Sequence, residues 1–470
     1  MPSTISGRRT GGLVDRIRRP SAMAVDSVAL MISSGLNAVL GLVYWMVATR
    51  LYPVEEVGRA STLINAGIVL SSASILAFGQ MLERFLPVCG RLRRRAIVGS
   101  TVVVAALATA SAGSFVAFWP TGALLSEPWQ APAYVASVVA LTMFALYDSV
   151  LVGLHLGRWA AAKNIVHAVV KLGLVAVLGA AAFGGAASPG TGTGDGAGDG
   201  AGPSAVAILG SWVVPAAVLV IAAQVALAMR RSRALRAAGS IPVPAPAPAP
   251  ERGEADPDGE PDLPPRRELA AYFATSVGWI IGQVLPGLFI PLMVERRLGL
   301  AEAAYFNIAW IVVAASIMLM SIIGGPFVAE AARPGSDLAA AARSLLRIAT
   351  AASLFRLIAV GALGPVALLL YGAEYAEAGT MLLVLMGVAH FISGPAFVYG
   401  ALAKVYRRIA YPMMVQLIGA VVLVWLAWSW LPEHGIVGVG WAYLVHDVGV
   451  LLAAAVPLRV MLGEALRGRR

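Results

Sequence analysis

The sequence predicts an all-α polytopic membrane protein, with about 12 transmembrane helices in two six-helix lobes related as a parallel pseudo-repeat. Three observations carry that expectation. The 470 residues are 59% hydrophobic and only 13% charged, with a mean hydropathy of +0.79. A soluble domain carries about twice that charged fraction. The apolar residues are grouped in runs of about 20, the length that crosses the hydrocarbon core as a helix. The cations fall in every second loop, and a polar, proline-rich segment divides the runs six and six.

In chain order the apolar runs cover 27–49, 60–81, 96–119, 132–153, 165–185, 204–229, 269–293, 304–326, 348–370, 378–402, 411–430 and 436–458. The first follows a basic tail with no small-residue cleavage site, so it is read as a retained helix and not a secretory signal. Translocating positive charge is disfavoured. Arginine clusters such as Arg8–Arg19, Arg84–Arg95, Arg230–Arg267 and Arg459–Arg470 therefore mark the cytoplasmic side, and Arg158 and Lys163 are counted with them. Only Arg50, Arg59, Arg296 and Arg297 fall in outer loops, and Lys171 and Arg356 fall inside runs. Both termini are expected in the cytoplasm. Much of the net charge of +10 is thus an address, and nucleic acid is excluded as a partner.

The predicted units are a basic tail (1–26), an N-terminal lobe (27–229), a cytoplasmic linker (230–268), a C-terminal lobe (269–458) and a second basic tail (459–470). Two segments are compositionally unusual. Residues 186–203 are almost all Gly, Ala, Asp and Thr, which suits a flexible outer loop. Residues 240–265 open on alternating Pro and Ala and continue acidic, a composition that favours extended polyproline II and cannot build a core. The two halves share a weak motif: Arg50-Leu51 and Glu55 ahead of the second run, Arg297-Leu298 and Glu302 ahead of the eighth. Repeats of six spans keep the same orientation, and such transporters bind substrate between the halves.

Several chemistries are absent. The three lysines, Lys163, Lys171 and Lys404, do not stand in a P-loop, so ATP hydrolysis by that route is excluded. Cys89 is the lone cysteine, which leaves no intrachain disulfide and no cysteine-based metal cage. Neither a metal nor a cofactor is expected, and no catalytic residue is assigned.

Ionisable side chains within a span cost about 2.5–3.5 kcal/mol or more at its centre, so each is a candidate for function. They are Asp148, His167, Lys171, Arg356, His390, His446 and Asp447. Lys171 and Arg356, one in each half, could hold a phosphate or pyrophosphate headgroup. The competing reading pairs Lys171 with Asp148 and Arg356 with Asp447, since buried charges are normally paired. Asp148, Asn37, Asp447 and His446 are the cavity or coupling candidates, although His446 and His390 also suit hydrogen-bonded packing. Asn65, Gln80, Gln224, Gln283 and Gln416 suit either a polar cavity or interhelical bonds. Prolines at 286, 291, 326, 365 and 395 mark bends, as gates or as static kinks.

The stretch Ser33-Ser34-Gly35-Leu36-Asn37 through Gly41, then Ala48-Thr49-Arg50-Leu51-Tyr52-Pro53 with Glu55-Glu56-Val57-Gly58, and Arg84-Phe85-Leu86-Pro87, resembles the opening of polysaccharide flippases of the multidrug/oligosaccharidyl-lipid/polysaccharide exporter superfamily. Asp148, Gly153, Trp159, Asn164 and Lys171, and Gly438-Val439-Gly440-Trp441-Ala442 near the end, add to the likeness with lipopolysaccharide-biosynthesis members. The resemblance implies two six-helix lobes around a cavity that is often cationic. It also implies movement of a polyprenyl-(pyro)phosphate-linked oligosaccharide from the inner to the outer leaflet. Implied partners are that lipid-linked oligosaccharide, membrane lipids, and glycosyltransferases or a polymerase of polysaccharide synthesis. A cation-coupled exporter of small amphiphiles in the same superfamily is the alternative. A polyprenyl-phosphate-sugar-dependent glycosyltransferase is disfavoured, because the outer loop holding Glu55-Glu56 is too short to fold around a substrate. That acidic pair is read as favourable charge at a helix N-terminus.

Overall fold

A computed structural model of the protein describes residues 22–75, 78–186, 204–239, 265–331, 337–406 and 408–467. The Gly-rich segment at 187–203, the Pro-Ala and acidic run at 240–264 and the N-terminal tail to residue 21 lie outside the described residues, as do the side chains of Gln283 and Pro326.

Each of the twelve apolar runs has a helical counterpart. The first half comprises α1 (Ala22–Leu51), α2 (Val54–Ile75), α3 (Phe78–Phe85), α4 (Arg93–Phe118), α5 (Gln130–Gly153), α6 (Gly157–Ala186) and α7 (Ala205–Gly239). The second half comprises α8 (Arg266–Leu298), α9 (Leu300–Ala331), α10 (Leu338–Arg356), α11 (Leu363–Leu368), α12 (Ala373–Ile392), α13 (Gly394–Val405), α14 (Ala410–His434) and α15 (Val437–Leu466). Two short 3₁₀ turns join α3 to α4. Among the described residues ten helical stretches are long and apolar enough to cross a membrane, and the α2–α3 pair, bent by 52°, makes an eleventh. The remaining run is α8, whose 33 residues leave ample length for a span.

The breaks follow local chemistry. Proline lacks a donor and clashes with the carbonyl four residues back. Ahead of Pro365 the chain widens into a π-helical turn, Leu357–Ala362, and α13 restarts at Gly394-Pro395. Pro286 and Pro291, by contrast, lie inside an unbroken α8.

The two halves repeat one packing pattern. α1 pairs with α6 as α8 pairs with α14; α5 lies against α2, α4 and α7 as α12 lies against α9, α11 and α15. This is the parallel six-plus-six arrangement. The halves meet unequally, however. α2 packs closely on both α8 and α9, whereas the symmetry-related approach of α1 to α9 is slight. The gap on that flank is a cavity of about 440 Å³ lined by residues of α1, α9 and the α10–α11 region, including Leu42, Met46, Ser316, Phe355 and Tyr371.

The halves close on each other at the end where α2 and α9 begin, the end expected outside from the arginine pattern. There Gly58 of α2 lies so near Leu300 that a Cβ would collide with the Leu300 carbonyl oxygen. Only glycine permits this approach. One turn and more beyond, Asn307 of α9 is fully buried and donates to Ser61 Oγ and Thr62 Oγ, both at 3.0 Å, while its Oδ1 accepts from Asn65 at 2.8 Å. Two further bonds cross the gap: Arg50 to the Leu370 carbonyl at 3.2 Å and Tyr371 to the Leu42 carbonyl at 3.3 Å.

Candidate functional site

In the first half, helical periodicity places Lys163, His167 and Lys171 of α6 four residues apart on one face. This face meets α5, α7 and α1. Lys163 is buried and bridges Asp148 of α5 at 3.0 Å, with a second bond to the Phe144 carbonyl at 2.8 Å. Asn164 donates to the other oxygen of Asp148 at 3.2 Å. Asp148 is therefore bound by Lys163 and not by Lys171, and the Lys171–Asp148 pair of the competing reading does not form. The sequence reading counts Lys163 as a loop cation because the apolar run starts at residue 165; α6 begins at Gly157, which brings Lys163 inside.

Lys171 sits almost four turns into α6. It is 7% exposed, and among the described residues it has no carboxylate partner. Its ammonium lies 3.5 Å from the ring centre of Trp212 and 5.3 Å from that of Tyr44. A cation over indole and phenol faces is held by their quadrupoles without losing its charge to an anion. The rings are fixed in turn: Tyr44 Oη is 2.8 Å from Ser211 Oγ, Tyr44 and Trp212 meet edge to face at 5.7 Å, and His167 Nε2 is 2.9 Å from the Trp212 carbonyl oxygen. Asn37 lies on α1, half-buried, and donates to Ser33 Oγ at 3.5 Å; Ser33 in turn donates to the Ala161 carbonyl.

In the second half Arg356 is 5% exposed at the C-terminal end of α10, and its Nε donates to Ser316 Oγ at 3.4 Å. Ser316 lines the cavity between the halves. Arg356 makes no ion pair with Asp447 among the described residues. Asp447 is taken by histidines: His446 Nδ1 at 2.8 Å from one oxygen and His390 Nδ1 at 3.8 Å from the other. Both cations singled out by sequence are thus buried in their respective halves, and among the described residues neither has a directly bound carboxylate. The partnerships of Asp148 and Asp447 differ from those the sequence suggests.

Three features escape sequence reasoning. Asn307 is one polar residue within an apolar run, and its role depends on α2 reaching it. The Tyr44–Trp212 setting of Lys171 joins residues more than 160 positions apart. Glu56 stands in the first turn of α2, yet its Oε2 also accepts from the Ala205 backbone N–H at 2.6 Å and so caps α7. Its other oxygen lies 3.7 Å from Arg59.

No protein-family model matches this sequence, and no curated protein matches it. Solved structures do match in shape. An outward-facing multidrug-resistance MATE family transporter of the MOP superfamily superposes with a TM-score of 0.54 at 12% identity, covering 95% of this chain and 96% of that one. The chain has their fold. The MATE multidrug transporter DinF-BH, solved as a complex, gives 0.54 at 14% identity over 94% and 96%. The lipid II flippase MurJ, in an inward closed conformation, gives 0.52 at 10% identity over 94% and 90%.

Proposed function

We propose that this chain carries a polyprenyl-(pyro)phosphate-linked oligosaccharide across the bacterial plasma membrane, from the inner to the outer leaflet, for cell-surface polysaccharide synthesis. The protein acts as a flippase and not as an enzyme. The shared fold does not choose between a lipid flippase and a drug exporter, since both kinds of structure superpose equally well. The charge distribution favours the flippase. Lys171 is buried among aromatic rings with no carboxylate partner among the described residues, which leaves its amine available to an anionic headgroup. A cation-coupled exporter would need an available carboxylate deep in the first half, and Asp148 is already bound to Lys163.

Arg356 supplies the matching charge in the second half, beside the cavity between the halves. The contacts at Gly58 and Asn307 join the halves at one end, the outer end if both termini are cytoplasmic. Headgroup capture by the two cations would precede opening of that contact. Neighbouring glycosyltransferases or a polymerase would supply and consume the substrate.

The test is genetic and biochemical. Deleting the gene should accumulate lipid-linked oligosaccharide on the inner leaflet, and a Lys171→Ala, Arg356→Ala variant should rescue poorly. Normal export in a deletion strain lacking a redundant flippase would sink the reading.

A further inference from the structure

The headgroup reading leaves unused a cluster of titratable groups in the second half, His390, His446 and Asp447, of which His390 and Asp447 are buried. One carboxylate lies between two imidazoles, with His446 Nδ1 at 2.8 Å and His390 Nδ1 at 3.8 Å. His390 Nε2, His446 Nε2 and Asp447 Oδ2 are buried with no hydrogen-bond partner. Such orphaned atoms are rare in a packed interior and call for an explanation.

Five helices close around this cluster. α9 contributes Ser316, α10 contributes Arg356, and α12 contributes His390. α14 contributes Gly419, where a Cβ would stand 2.8 Å from His446 Nε2. α15 contributes Tyr443, His446 and Asp447, and the Tyr443 ring meets His390 edge to face at 6.3 Å. α10, which ends at Arg356, packs against both α12 and α15, the helices that carry His390 and Asp447. The ionisable groups that face one another here are therefore Arg356, Asp447, His390, His446 and Tyr443.

Charge counting then sets the behaviour. With both imidazoles neutral, Arg356 and Asp447 cancel. A proton on either imidazole commits Asp447 to that ring and leaves the cluster with one net positive charge, centred on the arginine. In a poorly polarisable interior such a net charge attracts an anion far more strongly than a cancelled pair does. Imidazole is the side chain that changes charge near neutral pH.

We infer that the His390–Asp447–His446 cluster is a protonation site that governs the availability of Arg356, so that a phosphate-type headgroup and a proton bind the second half together. This rests on the headgroup reading of Arg356. Linkage requires the effect to be mutual: the proton strengthens anion binding, and the anion strengthens proton binding.

The test uses the full chain in phosphatidylcholine nanodiscs, with farnesyl pyrophosphate as probe, titrated calorimetrically at pH 6 and pH 8 in two buffers of different ionisation heat. Wild type should bind about tenfold more tightly at pH 6, with proton uptake on binding near pH 7. The His390→Gln, His446→Gln variant should lose both the pH dependence and the uptake. Asp447→Asn should bind at pH 8 as tightly as wild type does at pH 6; if it misfolds, the histidine variant decides alone. Equal wild-type affinity at both pH values without proton uptake would overturn the inference and leave the headgroup reading intact. A pH dependence that survives in the histidine variant would place the proton on the probe and overturn it too. Absence of binding at either pH would remove the headgroup reading, and this inference with it.

Discussion

The side-chain amide of Asn65 donates a 2.8 Å hydrogen bond to Oδ1 of Asn307, one residue from each half of the chain. With Ser61 and Thr62 accepting from the Asn307 amide, every polar group of that buried side chain is satisfied across the interface. Asn307→Ala would remove three bonds across the interface, Ser61 keeping its bond to the Gly58 carbonyl, at about 1–3 kcal/mol for each buried group left without a partner. The closed end should therefore open more often. Spin labels on Glu55→Cys and Glu377→Cys, in a Cys89→Ser background, should report a longer mean separation in the Asn307→Ala variant. An unchanged distance distribution would show that the clasp does not hold the halves together.

Gly58→Ala tests the same contact by steric means. The added Cβ would overlap the Leu300 carbonyl oxygen, and backbone cannot swing aside as a flexible side chain can. The same label pair should separate, more strongly than in Asn307→Ala, and the variant should lose substrate translocation while keeping headgroup binding.

The Lys163–Asp148 pair should matter through the charge left behind. Lys163→Met strands Asp148 beside α6 with only Asn164 as partner, and should lower the thermal midpoint; removing one member of a buried pair costs more than removing both. Lys163→Met, Asp148→Leu should recover much of the loss. If the double variant were as unstable as the single one, the pair would not be the source of the effect.

Glu56→Ala removes the cap on the first backbone N–H of α7. The expected cost is about 0.5–2 kcal/mol, the range for loss of a helix N-cap. Glu56→Gln keeps an acceptor oxygen and should retain about half of the stability or more; denaturation in detergent micelles compares the two.

Cys89 is buried between α3 and α4, and desolvation raises its thiol above the ordinary range, against an opposing pull from Arg93. Since the thiolate is the reactive form, maleimide labelling at neutral pH should be slow and should accelerate as pH rises. That quiet background permits an orientation test. Thr193→Cys in the Gly-rich segment should react with an impermeant maleimide in intact cells, and Ala255→Cys in the acidic segment only after permeabilisation. The reverse pattern would invert the topology and make the closed end cytoplasmic.

Most of the fold is legible because the bilayer imposes a simple rule: an apolar run of about 20 residues must satisfy its own backbone, and only a helix does that within one segment. The twelve runs, the six-plus-six division and the break near Pro395 follow from that rule and from proline chemistry. Helix ends are less legible. α6 starts eight residues before its apolar run, because polar residues such as Lys163 and Asn164 can remain helical once Asp148 of a neighbouring helix receives them.

Lys171 and Arg356 can be singled out from sequence because charge is scarce in an apolar chain and each buried cation stands out. Their surroundings cannot. Tyr44, Trp212 and Lys171 come from three helices, and His390 meets Asp447 from another two; spacing along the chain carries no information about which faces will touch. The sequence by itself determined a helical membrane protein with two related halves and a cation in each. Only the tertiary structure decided that Asp148 belongs to Lys163, Asp447 to two histidines, and Asn307 to the opposite half, because those partnerships depend on helix rotation and register, which packing sets after the spans have formed.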